Sequence, residues 1–79
     1  MVEKAYVLIE TEVGETKKVV EAIHELAGVV LVDSVTGPYD AIATIERATL
    51  DEISDLVTKK LHLISGVSRT VICLAVKSS

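Results

Sequence analysis

The chain contains no phenylalanine, tryptophan, asparagine or glutamine, and it has a single cysteine and a single proline. Each scarcity excludes something. One cysteine, Cys73, leaves no internal disulfide and no cysteine-rich zinc site. It sits inside an apolar run with no His or Lys beside it, so a buried structural thiol is expected rather than a nucleophile. Aromatics make up 3 % of the residues, too few for a base-stacking platform. Positive charge is also short. The formal net charge is −4 and the lysines are scattered among acids, which argues against direct binding of nucleic acid. No apolar run approaches the ~20 residues needed to span a bilayer, and no basic segment leads into an apolar stretch as in a signal peptide. The cytoplasm is the expected compartment. The absence of Asn and Gln fits a heat-adapted source.

What is present is apolar: 49 % of 79 residues, with a mean hydropathy of +0.47. One domain is expected, spanning residues 1–79. A domain this small buries only about 60 % of the surface its unfolded chain exposes. With disulfides and metal excluded, association with further chains is the expected source of extra burial.

Five residues, Thr36-Gly37-Pro38-Tyr39-Asp40, separate two strand-like runs and hold the only Gly-Pro pair. Gly37 precedes a proline and so avoids the right-handed helical region, while Pro38 suits the second position of a turn. A hairpin is expected, with Tyr39 and Asp40 at its tip. Upstream, Lys4 to Thr11 reads as a first strand and Glu15 to Ala27 as an amphipathic helix stopped by Gly28. Val29 to Thr36 reads as the second strand, with Val30 and Val32 on one face and Val29, Leu31, Asp33 and Val35 on the other. Asp40 to Glu46 is the third. Thr49 and Glu52 form a capping box, and a helix is expected from about Leu50 to Leu63. Val67 to Lys77 contains the last strand.

The order strand, helix, two strands, helix, strand is the ferredoxin-like split βαβ pattern, an α+β fold with a four-stranded antiparallel sheet and two helices on one face. Two helices cover one face, yet the strands are apolar on both parities, whereas a one-sided antiparallel sheet alternates apolar and polar. The second face therefore calls for burial against the same face of a second copy.

In this topology the end of the first strand, the hairpin tip and the start of the last strand share one end of the sheet. Asp40 and Thr70 then stand about 10 Å apart, two strand spacings. That end carries a carboxylate at Asp40, hydroxyls at Ser68, Thr70 and Tyr39, and backbone N–H groups at Gly37 and Gly66. A carboxylate suits an ammonium group; hydroxyls and free N–H groups suit a carboxylate. Together they match a free α-amino acid. The alternative for Asp40 is a turn cap. His24 and His62 have no metal-binding spacing and read as partly exposed helix histidines. Arg69 reads as facing water. No phosphate loop, nucleophilic triad or carboxylate pair is present, so catalysis is not expected and neither is a cofactor.

Val35-Thr36-Gly37-Pro38-Tyr39-Asp40 resembles the Val-Thr-Gly-x-Tyr/Phe-Asp signature of the effector-binding (RAM) domain of Lrp/AsnC, or feast/famine, transcription regulators. Gly66-Val67-Ser68-Arg69-Thr70 is similar to that domain's second signature, Gly-Val-x-x-Thr. The resemblance covers essentially the whole chain. It implies dimers through the open sheet face, rings of dimers (commonly octamers) and amino acids bound between dimers. Gly37 and Asp40 would hold the effector from the hairpin, with Tyr39 beside it and Thr70 and Ser68 contributing from the last strand. Two departures stand out. The chain opens directly on its first strand, so it resembles the domain without its helix-turn-helix and would act by co-assembly with full-length relatives or by sensing amino acids in another pathway. Ile72 occupies a place where the family often has Thr or Ser. Alternatives are a small dimeric ferredoxin-like enzyme of the isomerase or monooxygenase kind, a ligand-free assembly partner, and the related ACT-type sensor.

Overall fold

The computed structural model describes residues 2–76. Strand β1 (Glu3–Thr11) leads to helix α1 (Thr16–His24), then β2 (Val29–Ser34), β3 (Ala41–Arg47), helix α2 (Leu50–Lys59), a 3-10 turn (Leu61–Leu63) and β4 (Val67–Leu74). The sheet order is β2-β3-β1-β4 and every pairing is antiparallel. This is the expected ferredoxin-like arrangement. Lys77, expected at the end of the last strand, lies outside the described residues.

The pleat sorts β1 and β3 into two sets. Ala5, Val7 and Ile9 of β1 lie beside Ala41, Ala43 and Ile45 of β3, and all six are fully buried. Val19 and Ile23 of α1, Ile53, Leu56 and Val57 of α2, and Leu61 of the 3-10 turn close over them. The small alanines at 5, 41 and 43 let the helices sit close, while the isoleucines fill the ends of the layer.

The other parity forms the open face. Tyr6 and Leu8 of β1, Ile42 and Thr44 of β3, and Val71 and Cys73 of β4 are adjacent in the ladder, with Leu31 beside Thr44. Charged residues rim this patch at both ends: Lys4 and Glu46 at one, Glu10, Arg69 and Asp33 at the other. Tyr6 and Leu31 remain 39 % and 52 % exposed.

Four expectations are corrected. Strand β2 carries an irregularity between Val29 and Leu31, where the register steps by an extra residue. Val29 and Val32 therefore share the helix-facing side, against Ile45 and Ala43, and Val30 is the additional residue. Helix α1 stops at His24, because Glu25 and Leu26 donate to Ala22 and Ile23 three residues back and tighten the last turn. Helix α2 stops at Lys59; Lys60, at φ −127 and ψ −62, breaks it into the 3-10 turn. Cys73 is exposed, not buried: it lies on the outer strand β4 opposite Tyr6, in a stretch where Ile72 and Leu74 of the other parity are exposed as well.

Candidate functional site

The expected site lies where β1 ends, β3 begins and β4 begins. Ile9 is the hub: it pairs with Ala41 on one side and Thr70 on the other. The hairpin is fixed to this end by its own backbone. Asp40 donates its N–H to the Ile9 carbonyl (2.9 Å), and Val35 donates to the Asp40 carbonyl (3.0 Å). The Asp40 carboxylate adds a third tie, accepting from the Thr11 N–H at Oδ2 (2.8 Å). Asp40 thus caps β1, the strand beside it, rather than its own turn. Only one of its two oxygens is engaged among the described residues.

Gly37 has φ +136, and a Cβ built there meets nothing within 4 Å. Its requirement is conformational, since the space around it is open. Tyr39 and Asp40 are half-buried.

The β4 side is shaped by a second irregularity. Glu10 pairs with Arg69, but Thr11 pairs with Val67, so Ser68 is an extra residue in the ladder. Its hydroxyl donates to the Glu10 carbonyl (3.1 Å) and lies 3.4 Å from Glu10 Oε1. Arg69 is exposed, as expected. The turn into β4 is tied to the end of β1 by the Glu12 N–H, which donates to the Gly66 carbonyl (2.8 Å). Gly66, at φ +103, is pressed against α1, and a Cβ there would come within 2.8 Å of Val19 Cγ2. Here the glycine answers both a backbone and a packing demand.

Thr70 is half-buried on the helix-facing side, with its Oγ1 3.5 Å from Nδ1 of His62. So Gly37, Tyr39, Asp40, Ser68 and Thr70 are gathered at one sheet end, but not onto one wall. Ser68 is turned to the β1 backbone and Thr70 to the 3-10 turn.

Two participants escaped sequence reasoning in their roles. Thr11 supplies the N–H that holds Asp40, and its hydroxyl lies 2.7 Å from that of Thr16, stitching the end of β1 to the start of α1. His62 meets Thr70 across the turn that separates them by eight positions. For His62 the available signal was that it and Thr70 flank the Gly66 turn.

A surface concavity of about 600 Å3 lies elsewhere. It lies between the α1–β2 connection and α2, lined by Leu26, Arg47, Glu52, Asp55, Leu56 and Lys59 among others. None of the signature residues lines it. Among the described residues no three His, Cys, Asp or Glu side chains come together to hold a metal, and no helix is long and apolar enough to cross a membrane.

Comparison with known proteins agrees with the fold. Residues 4–79 match the family described as the Lrp/AsnC ligand binding domain. An uncharacterised HTH-type transcriptional regulator of Pyrococcus furiosus is 37 % identical over 70 residues, which are 85 % of this chain and 47 % of that protein. The chain therefore spans about half the length of this curated relative. A crystal structure of a Thermus thermophilus protein is 38 % identical, covers 98 % of this chain and 96 % of its own, and superposes with a TM-score of 0.92. A Neisseria meningitidis transcriptional regulator, solved with L-Met, superposes at 0.85 over 95 % of this chain and 50 % of its own. At 14 % identity it speaks to the fold alone. From its sheet order, its two signature turns and the match over nearly its whole length, the chain belongs to the Lrp/AsnC ligand-binding domain family of transcription regulators.

Proposed function

We propose that this chain is an amino-acid-sensing regulatory domain that works as an assembly of copies. The observation that carries this reading is the junction at Ile9. A hairpin carboxylate with an uncommitted oxygen and a β4 hydroxyl are held by the backbone on either side of one central strand. The first suits the ammonium of a free amino acid and the second its carboxylate. Gly37, Tyr39 and Asp40 would contact the effector from the hairpin, and Ser68 and Thr70 from β4. The L-Met in complex with the Neisseria regulator is a free amino acid, a ligand of this chemical class.

The open face supports the assembly. Its apolar centre and charged rim have the layout of an interface core within a polar border. Stacked on a second copy, it would bury Tyr6, Leu8, Leu31, Ile42, Val71 and Cys73. Rings of such dimers, octamers in the form the family resemblance implies, would bring a neighbouring subunit to the effector end. Regulation would pass through co-assembly with DNA-binding relatives in the cytoplasm, since the net charge of −4 does not favour direct contact with DNA.

The test is thermal stability of the purified chain against each proteinogenic amino acid at millimolar concentration. A ligand at 100 times its dissociation constant stabilises by about 2.7 kcal/mol. For a domain of this size that is on the order of 10 °C. A selective shift, lost in Asp40→Ala with the fold intact, supports the sensor. A second reading, a ligand-free assembly partner, is favoured by Ile72 standing where a hydroxyl is common. It is the reading that remains if no amino acid shifts the transition.

A further inference from the structure

Strand β4 is the last in the sheet order, so one of its two edges is unpaired among the described residues. Which residues face that edge follows from the ladder. Ala75 donates its N–H to the Lys4 carbonyl (2.9 Å), with Ala5 opposite Leu74. In an antiparallel pair, hydrogen-bonded and non-hydrogen-bonded positions alternate. Cys73, Val71 and Arg69 therefore bond to β1, while Leu74, Ile72 and Thr70 direct their N–H and C=O groups outward. The side chains of Thr70 and Ile72 stand on the same side of the sheet as Ile9 and Val7.

His62 stands over the beginning of this edge. Its position is set by the 3-10 turn, anchored by the fully buried Leu61. The turn is closed by Leu63 and Ile64, which donate to the carbonyls of Lys60 (3.2 Å) and Leu61 (3.1 Å). The imidazole itself is exposed and has one polar neighbour among the described residues, the Thr70 hydroxyl at 3.5 Å. A ring held by its backbone but left open to solvent is available to a ligand without any rearrangement of the core.

The side-chain polar groups on this wall are the Thr70 hydroxyl and the His62 ring, and both can donate a hydrogen bond. The outward N–H groups of Thr70 and Ile72 add two donors beside the outward carbonyls of the same residues. Ile72 contributes no hydroxyl. The nearby acids Asp40 and Glu10 belong to the other strands of the junction. The side chains of the wall thus offer donors suited to a carboxylate.

We propose that His62 is an effector-contacting residue which, with the Thr70 hydroxyl, receives the α-carboxylate of the bound amino acid. This rests on the amino-acid-sensing reading above. In this chain the imidazole supplies from the 3-10 turn the polar contact that Ile72 does not supply from the strand.

The experiment measures the dissociation constant of the full chain for the amino acid that shifts wild type, and for the same amino acid as its α-amide. Wild type, His62→Ala and His62→Gln are compared. His62→Ala should unfold at the wild-type temperature without ligand, because the ring is exposed. It should bind the amino acid about tenfold or more weakly, the size of one lost hydrogen bond to a charged group. Its affinity for the α-amide should change little, so that the preference for acid over amide collapses. His62→Gln, which keeps a donor, should recover part of that preference. Wild-type affinity in His62→Ala, or an equal loss for acid and amide, would overturn the role given to His62 and leave the sensor reading intact. A folded wild-type chain that binds none of the amino acids would overturn the sensor reading and the assignment of His62 together.

Discussion

Ile45 and Ile42 lie three residues apart on β3 and meet different surroundings. Ile45 is fully buried beneath the helices, while Ile42 is only partly covered and sits among Leu8, Asp33 and Thr44 on the open face. The two faces are equally suited to burial in composition, but within one chain only one has a cover. Hydrophobic pattern specifies which surfaces need covering, and the number of helices decides how many the chain covers by itself.

Truncating the two isoleucines separates the faces most sharply. Ile45→Ala should cost about 2–5 kcal/mol in chemical unfolding, as buried large-to-small changes do. Ile42→Ala measured in the monomeric state should cost less than about 1 kcal/mol, since little is buried to lose. Equal losses measured for the monomer would break the comparison.

A glycine pair extends it to backbone. Gly66→Ala forces a positive φ on alanine and drives a Cβ to within 2.8 Å of Val19, in the covered layer, whereas Gly37→Ala bears the conformational strain alone. Thermal denaturation should show Gly66→Ala the more destabilised by about 1–3 kcal/mol.

The open face itself is probed by Leu8→Lys. Its side chain can reach water in one chain, so the circular dichroism of the fold should be retained. Sedimentation should show a shift from dimer or larger toward monomer, because a lysine buried at the centre of a stacked interface is strongly disfavoured. An unchanged sedimentation coefficient would mean that the faces do not meet.

Thr49→Ala gives a small effect that calibrates the rest, for Thr49 belongs to neither face. Its hydroxyl accepts from the Glu52 N–H (3.1 Å) at the start of α2, and its loss should cost about 1 kcal/mol by denaturant titration.

Much of this was legible in the chain. Punctuation by Gly28, the Gly37-Pro38 turn, the Thr49 cap and Gly66 is strong because each has a local cause, and element order follows from it. The convergence of Asp40 and Thr70 at one end follows from topology alone. What was illegible has non-local causes. The irregularity at Val30 lies in a run of valines and leucine with no glycine to mark it. The exposure of Cys73 depends on β4 being the outer strand, whose end is exposed on both parities. The contact of His62 with Thr70 depends on α2 breaking at Lys60, where the sequence continues to look helical.

Strand β1 sits between β3 and β4 and is therefore the only strand of the four that needs both a mid-chain partner and the final one, whereas β2 needs β3 alone. Of these four strands β1 is synthesised first and completed last. Until residues 67–74 leave the ribosome, one edge of this central strand has no partner and Ile9 has no Thr70 beside it. Contacts between such distant segments slow folding and prolong exposure to misassembly. Nascent chains halted before Gly66 should be the species that chaperones hold, and the effector end should come into being only with the closing strand.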